Sequence, residues 1–151
     1  MTLSAEQCLE RNFVETLKLP ESAVLWLLDL WRAIQVLDDV ADGEAVDRQA
    51  LDEVIWAILV DMPGNTFFQA QSANLLPAVA TAILKWKASD VAEREGRADE
   101  KSFVWRAAYY DIILLTVSLC HGPRIAMSMA SLVMAMYGET FADYRKEFSN
   151  A

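Results

Sequence analysis

Residues 47–59 read DRQALDEVIWAIL, and this stretch decides the fold class. Asp47 stands just before the periodic part, at a position where Asp is a preferred helix N-cap. Apolar residues then recur at spacings of three and four, at Leu51, Val54, Ile55, Ile58 and Leu59. This spacing places them on one face of an α-helix, so it predicts an amphipathic helix whose apolar face packs into the core.

Helix signals of the same kind occupy the rest of the first half. Ser4 to Gln7 has the form of a capping box and predicts a first helix. Pro20 opens a second helix that stops near Gly43, and Met62-Pro63-Gly64 ends the third. Thr66-Phe67-Phe68-Gln69 has the form of a second capping box and starts a long fourth helical stretch.

The fourth stretch runs toward Glu95 and contains Pro77. An interior proline removes one backbone hydrogen bond and clashes with the carbonyl group four residues earlier. The sequence therefore predicts a helix that kinks or splits near Ala73.

Two further helices complete the chain. Asp99 can cap a fifth helix, and Gly122-Pro123 separates it from a last helix over Arg124 to about Phe148. Alternating strand-like runs with hairpin turns are absent from the sequence. The sequence predicts an all-α protein, a bundle of about six helices in a single domain over residues 1–151.

The composition limits the partners of this protein. The 151 residues include 13 Lys plus Arg and 22 Asp plus Glu, which gives a net charge of −9. Such a surface repels phosphate backbones and anionic lipids, so a nucleic-acid partner is excluded. Apolar residues make up 54% of the chain, which excludes a disordered protein.

The sequence also predicts where the protein resides. Met1 to Arg11 lacks the continuous apolar segment of a secretory signal. The most apolar region, Ile112 to Gly138, is interrupted at residues 121–124, and each piece is too short for a membrane-spanning helix. Cys8 and Cys120 have no metal or redox motif around them and are expected to be reduced and buried. These features predict a cytoplasmic protein without a membrane span.

The second helix ends in an acidic cluster. Asp38 and Asp42 are i, i+4 neighbours and Asp39 lies beside them. Asp is a poor helix former, like charges repel at this spacing, and a helix C-terminus already carries partial negative charge. Because a divalent cation such as Mg²⁺ would reverse these unfavourable interactions, the cluster is a candidate metal site.

The segment that carries this cluster resembles a known motif. Residues 30–42, LWRAIQVLDDVAD, contain the DDxxD form and resemble the first aspartate-rich helix of class I isoprenoid enzymes, the trans-prenyl diphosphate and squalene/phytoene synthases. The resemblance implies an all-α fold and Mg²⁺ held by Asp38 and Asp42, with Asp39 in support. It also implies a diphosphate-containing small molecule as ligand, for which Arg32 and Arg48 are candidate contacts.

Other carboxylates are candidates to complete such a site. Asp111 is isolated in an apolar stretch and needs a partner, either an arginine (Arg32, Arg106 or Arg124) or the metal of the acidic cluster. Three acids on the predicted last helix have i, i+4, i+8 spacing and are interpreted mainly as a solvated chain-end face: Glu139, Asp143 and Glu147.

Three functions are consistent with the sequence. The first is a compact relative of isoprenoid synthases that binds Mg²⁺ and a diphosphate, with catalytic turnover left open. The second is a non-enzymatic protein that acts by helical association with a copy of itself or another protein. The third is an all-α nucleotide pyrophosphohydrolase. A second carboxylate set facing Asp38 and Asp42 would favour the first function, and a dry, apolar surface opposite the acidic cluster would favour the second.

The amount of apolar helix surface predicts a homo-oligomer. Nearly every helix has more apolar circumference than a small monomer needs. The predicted last helix presents one such face, with Ile125, Met129, Leu132, Val133 and Met136.

Overall fold

The computed structural model describes residues 2–148, and all regular structure in that range is helical. This confirms the all-α class, with eight continuous helical segments in the described part instead of six. The chain divides into two compact units, Met1–Ser72 and Ala73–Ala151, and each unit is described by itself. The expectation of a single domain stays a prediction.

The first unit contains three helices and the start of a fourth. Helix α1 (Ala5–Arg11) continues as a π-helical segment (Asn12–Thr16), α2 spans Glu21–Ala41, and α3 (Arg48–Trp56) continues as a second π-helical segment (Ala57–Asp61) and a final turn (Met62–Gly64). The predicted caps of α1 and α3 are confirmed. Ser4 and Gln7 form a capping box, and the Asp47 carboxylate accepts a hydrogen bond from the Ala50 backbone N–H at 3.2 Å.

The core of the first unit is built around α2. The Trp26 side chain is 1% exposed and stacks on Phe68 with ring centroids 6.0 Å apart, while Phe67 meets it edge-on at 6.2 Å. One face of α1 and its π-helical segment is buried through Leu9, Phe13 and Leu17.

The second unit contains the remaining helices. Helix α4 spans Thr66–Arg94 and so begins in the first unit; α5 spans Glu100–Arg106, α6 Tyr109–His121, α7 Pro123–Ala135 and α8 Phe141–Phe148. Asp99 caps α5 as predicted, in a capping box with Ser102. Gly122, with a φ of +87°, turns the chain between α6 and α7. Only glycine adopts this backbone conformation without strain.

Three details differ from the sequence-based expectations. Helix α4 is not split at Pro77, so that part of the prediction is wrong, while a bend stays a prediction. The cap of α4 is Asn65, one residue before the predicted Thr66, because the Asn65 side-chain oxygen accepts a hydrogen bond from the Phe68 N–H at 3.0 Å. The predicted last helix is two helices, α7 and α8, separated by residues 136–140 around Gly138.

Within residues 2–148, no single helix is both long enough and apolar enough to span a membrane. Helices α5 and α6 together have the required length and apolarity, but the pair is bent by 48°. Cys8 and Cys120 are both free thiols. The expected burial of Cys8 is wrong, because its side chain lies on an exposed part of α1.

Candidate functional site

The acidic cluster lies in the turn that ends α2. Asp42 is the C-cap residue and Gly43 follows with a φ of +72°. The Glu44 N–H donates to the Asp39 carbonyl at 2.9 Å, and the Gly43 N–H donates to the Val40 carbonyl at 3.2 Å. These two bonds form a Schellman motif, which satisfies the last carbonyl groups of the helix.

The Schellman motif brings two acidic side chains together. In this motif the residue after the glycine commonly makes an apolar contact with the residue that starts the turn. Here those positions hold Glu44 and Asp39, which share a side-chain hydrogen bond. The charge of Asp39 is the main reason that the pKa of Glu44 is raised above its ordinary value, and Asp42 and Asp38 add to it. We call these four residues the acidic turn.

The end of α4 shows the same turn with the opposite charge. The Arg97 N–H donates to the Ala92 carbonyl at 2.8 Å, the Gly96 N–H donates to the Glu93 carbonyl at 3.3 Å, and Gly96 has a φ of +71°. The position that Glu44 occupies after α2 is therefore held by Arg97 after α4. The C-terminus of a helix carries partial negative charge, so a cation there is favourable and an anion is unfavourable. Arg97 therefore interacts favourably with the dipole of α4, whereas the acidic turn interacts unfavourably with the dipole of α2.

The acidic turn does not form a recognisable metal centre. Asp38 and Asp39 are half-buried and Asp42 is exposed. Among residues 2–148, no group of three or more His, Cys, Asp or Glu side chains is arranged so that it could hold a metal ion. Binding of Mg²⁺ by Asp38, Asp39 and Asp42 therefore stays a prediction.

Both candidate diphosphate contacts are engaged by acids of the first unit. Arg32 pairs with Glu6 of α1 and with Asp29, whose Oδ1 lies 3.2 Å from Arg32 Nη1. The Arg48 Nε lies 3.0 Å from Asp52 Oδ1, and its side chain is 85% exposed. A diphosphate at either arginine would have to compete with a carboxylate that is already in place.

Asp29 is another carboxyl group of the first unit whose pKa is raised. Burial raises its pKa, Arg32 opposes this effect, and Asp61 adds to it. The Asp61 carboxylate in turn accepts a hydrogen bond from the Trp56 indole N–H at 3.1 Å. The charges of Asp29 on α2 and Asp61 on α3 therefore repel each other, and neither residue belongs to the DDxxD motif.

Asp111 belongs to the second unit, and its partner is a lysine. Lys85 Nζ lies 2.7 Å from Asp111 Oδ2 and 5.8 Å from the centre of the Trp105 ring. The expected arginine partner is therefore wrong. Asp111 has an ordinary counter-ion, and its side chain is 54% exposed because it points away from the apolar face of α6.

The acids near the end of the chain do not form one face. Glu139 precedes α8, so the spacing that links it to Asp143 and Glu147 on a common helix is absent. Glu139 instead accepts a hydrogen bond from the Tyr137 hydroxyl at 2.9 Å and lies 3.6 Å from Arg106.

Sequence analysis missed a buried polar network in the second unit. The Tyr144 side chain is fully buried, and its hydroxyl bonds both Ser102 Oγ at 2.6 Å and Glu93 Oε2 at 2.9 Å. Ser89 donates to Glu93 at 3.0 Å, and Arg106 lies 3.6 Å from the same carboxylate. We call this set the Glu93 network. The polar atoms face one another and the residues come from three helices, so no local motif indicates them.

An apolar surface lies on α3. Five large side chains around the buried Ala57 are exposed by 37% to 69%: Ile55, Trp56, Ile58, Leu59 and Val60. We call them the α3 apolar strip. The expectation that this face lies in the core is wrong for Ile55, Ile58 and Leu59, whereas Val54 is buried as expected.

The π-helical segment changes the face of the residues after Ala57, whereas Ile55 precedes it and is exposed in the regular part of α3. The Met62 N–H donates to the Ala57 carbonyl, five residues earlier, so the turn holds one more residue than an α-helical turn. The residues of α3 that face the core are consequently Val54, Ala57 and, partly, Met62. The regular spacing of three and four, carried past Ala57, assigns the wrong side chains to the core.

Comparison of the chain with protein-family models, curated proteins and solved structures gives no match. The geometry of the two units is therefore the basis for any functional assignment.

Proposed function

We propose that this protein is a non-enzymatic helical protein that acts by self-association through exposed apolar helix faces. The observation that carries the proposal is the α3 apolar strip. The segment from Val54 to Val60 contains seven residues without a charge, in a chain of which 23% is charged. Contiguous exposed apolar surface of this kind is typical of interaction sites.

A second apolar surface supports the same proposal in the second unit. On α7 the side chains of Met127 and Met134 are 74% and 75% exposed. They are seven residues apart and therefore lie on one face of the helix. Methionine is frequent at binding surfaces because its flexible, polarisable side chain adapts to a partner.

The polar clusters give less support to catalysis. The acidic turn lacks a facing set of carboxylates among the described residues, and the arginines near it are paired with other acids. In the Glu93 network, the Tyr144 hydroxyl and the Glu93 carboxylate are hydrogen-bonded to other side chains of the second unit. No described group therefore supports the pyrophosphohydrolase alternative.

Binding of a divalent cation at the acidic turn is a second candidate function. One observation favours it: the carboxyl groups of Asp39 and Glu44 are close enough to share a hydrogen bond, and like charge raises the pKa of Glu44. A cation would relieve that repulsion. Titration of the protein with Mg²⁺, with and without inorganic diphosphate, followed by calorimetry tests this candidate directly.

Light scattering at increasing concentration tests self-association. We expect a mass above that of the 16.9 kDa monomer at micromolar concentration. Because each copy carries a charge of −9, added salt should screen the repulsion between copies and increase the oligomeric fraction. A monomer mass at all concentrations and salt levels would overturn the proposal.

A further inference from the structure

We infer that the α3 apolar strip is a dimerisation surface that packs antiparallel against the same strip of a second copy, about a two-fold axis near Ala57 and Ile58. This inference rests on the proposed function and makes it specific. It names the partner, the surface and the direction of the helices. The proposed interface does not involve residues 124–148, which the sequence predicts as the last helix.

The area of the strip fits an interface between two copies. A large apolar side chain has roughly 200 Å² of accessible surface, so the five partly exposed side chains together present about 500 Å². A standard interface buries about 800 Å² on each partner, of which roughly 55–65% is apolar. The strip alone therefore supplies the apolar area that one side of such an interface needs.

The pattern of the strip is self-complementary in the antiparallel direction. Ile55 and Trp56 are exposed before the centre of the strip, and Leu59 and Val60 are exposed after it. This centre lies between residues 57 and 58. A two-fold axis at that centre places Ile55 level with Val60 of the second copy and Trp56 level with Leu59 of the second copy, so that the strip packs against itself in reverse.

Charge selects the antiparallel direction. Asp52, Glu53 and Asp61 lie on α3 outside the run from Val54 to Val60. In a parallel pair each acid would lie next to the same residue of the second copy, so like charges would face each other at both ends of the interface. In the antiparallel pair Asp52 lies opposite Pro63 of the second copy, since both are equally far from the centre. The interface then closes without opposing like charges at this position.

The Trp56 ring is held in place before association. Its indole N–H donates to the Asp61 carboxylate at 3.1 Å, and its side chain remains 60% exposed. A large aromatic group in a fixed orientation loses little side-chain freedom on binding. Trp56 is therefore expected to contribute most to the interface.

The first part of the test is a pair of matched substitutions. Leu59→Glu places a charge in the strip, and Leu84→Glu makes the same change on α4; the two leucines are 69% and 70% exposed. We expect Leu59→Glu to weaken dimerisation by at least about 30-fold and Leu84→Glu to leave it unchanged. Helicity measured by circular dichroism confirms that both variants fold, as their exposure predicts.

The second part determines the direction of the helices. In a background of Cys8→Ser and Cys120→Ala, one tagged protein carries Asp52→Cys and one untagged protein carries Pro63→Cys. With a rise of about 1.5 Å per residue, the two thiols introduced at position 52 of an antiparallel pair are roughly 16 Å apart along the helix. We therefore expect a disulfide between the tagged and untagged proteins, and none in the Asp52→Cys protein alone.

The outcomes separate this inference from the proposed function. If Leu59→Glu leaves the dimer intact, the α3 apolar strip is not the interface, although the proposed self-association still holds. A dimer that Leu59→Glu disrupts, but that cross-links Asp52→Cys to itself, would overturn the antiparallel arrangement. A monomeric wild-type protein would overturn both.

Discussion

Asp39 and Glu44 hold their carboxyl groups together across the turn that ends α2, where a Schellman motif commonly places an apolar contact. The backbone fixes this encounter, because the glycine between them and the two closing hydrogen bonds define the turn. The protein therefore carries a like-charge pair at the helix end that is least suited to negative charge.

Replacing Glu44 with Gln should raise the melting temperature at pH 7. The pKa of Glu44 is raised, mainly by the charge of Asp39, so the folded protein binds this proton more tightly than the unfolded chain. Ionisation of Glu44 consequently costs stability above its folded pKa, and the cost disappears as the pH falls below the unfolded pKa. The benefit of Glu44→Gln should decrease toward pH 4 in thermal melts.

Glu100→Gln is the control for this experiment. Glu100 lies in the first turn of α5, where negative charge interacts favourably with the helix dipole. Its replacement should lower the melting temperature slightly at pH 7. If Glu44→Gln lowered the melting temperature as well, repulsion in the acidic turn would not be the dominant interaction.

Replacing Asp42 with Asn should stabilise the metal-free protein at neutral pH by about 0.3–1 kcal/mol, because it removes charge from the C-terminus of α2. If the acidic turn binds Mg²⁺, millimolar Mg²⁺ should raise the melting temperature of the wild-type protein and not that of the variant. If Mg²⁺ does not change the melting temperature of the wild-type protein, and the variant is less stable than the wild type, the metal site is excluded.

Replacing Tyr144 with Phe should destabilise the second unit by about 1–3 kcal/mol, because it removes the hydrogen bonds that this buried hydroxyl makes with Ser102 and with the Glu93 carboxyl group. Burial is the main reason that the pKa of Tyr144 rises to about 12, so its hydroxyl stays protonated in ordinary buffers. Urea unfolding measures the loss.

Tyr110→Phe is a matched control for this loss. The Tyr110 ring packs against Tyr137 with centroids 5.2 Å apart, but no hydrogen bond of its hydroxyl is found within residues 2–148. Removal of that hydroxyl should change the free energy of unfolding by less than about 0.5 kcal/mol. Equal losses in both variants would argue against a structural role of the Glu93 network.

Replacing Asp111 with Asn should change the free energy of unfolding by less than about 1 kcal/mol, since its ion pair with Lys85 is partly exposed. The same substitution should leave any Mg²⁺ response unchanged. A loss of several kcal/mol, or a loss of Mg²⁺-dependent stabilisation, would show that Asp111 has a role beyond this pair.

The helix ends could be predicted from the sequence because they depend on local chemistry. Ser4, Asp47 and Asp99 cap the helices that follow them, and glycines 43 and 96 end α2 and α4. Each signal acts within four residues of its partner. Thr66 failed as a cap because Asn65, its neighbour, competes for the same backbone N–H groups.

The buried faces and the ion pairs were harder to predict because they depend on register and on distant partners. One additional residue in the turn after Ala57 changes which side chains of α3 face the core. Lys85 and Asp111 are 26 residues apart, and Glu93 and Tyr144 are 51 residues apart. Periodicity along one helix contains no information about either pair.

The π-helical turn of α3 also has a consequence for how this protein can change over generations. Because this turn holds one residue more than an α-helical turn, loss of one codon within residues 57–61 would leave a regular α-helix in which the later side chains keep their faces. The same loss in the regular part of α3 would rotate the side chains on one side of the deletion by about 100° relative to those on the other side. Residues 57–61 are therefore the part of α3 where a single in-frame deletion changes the packing least.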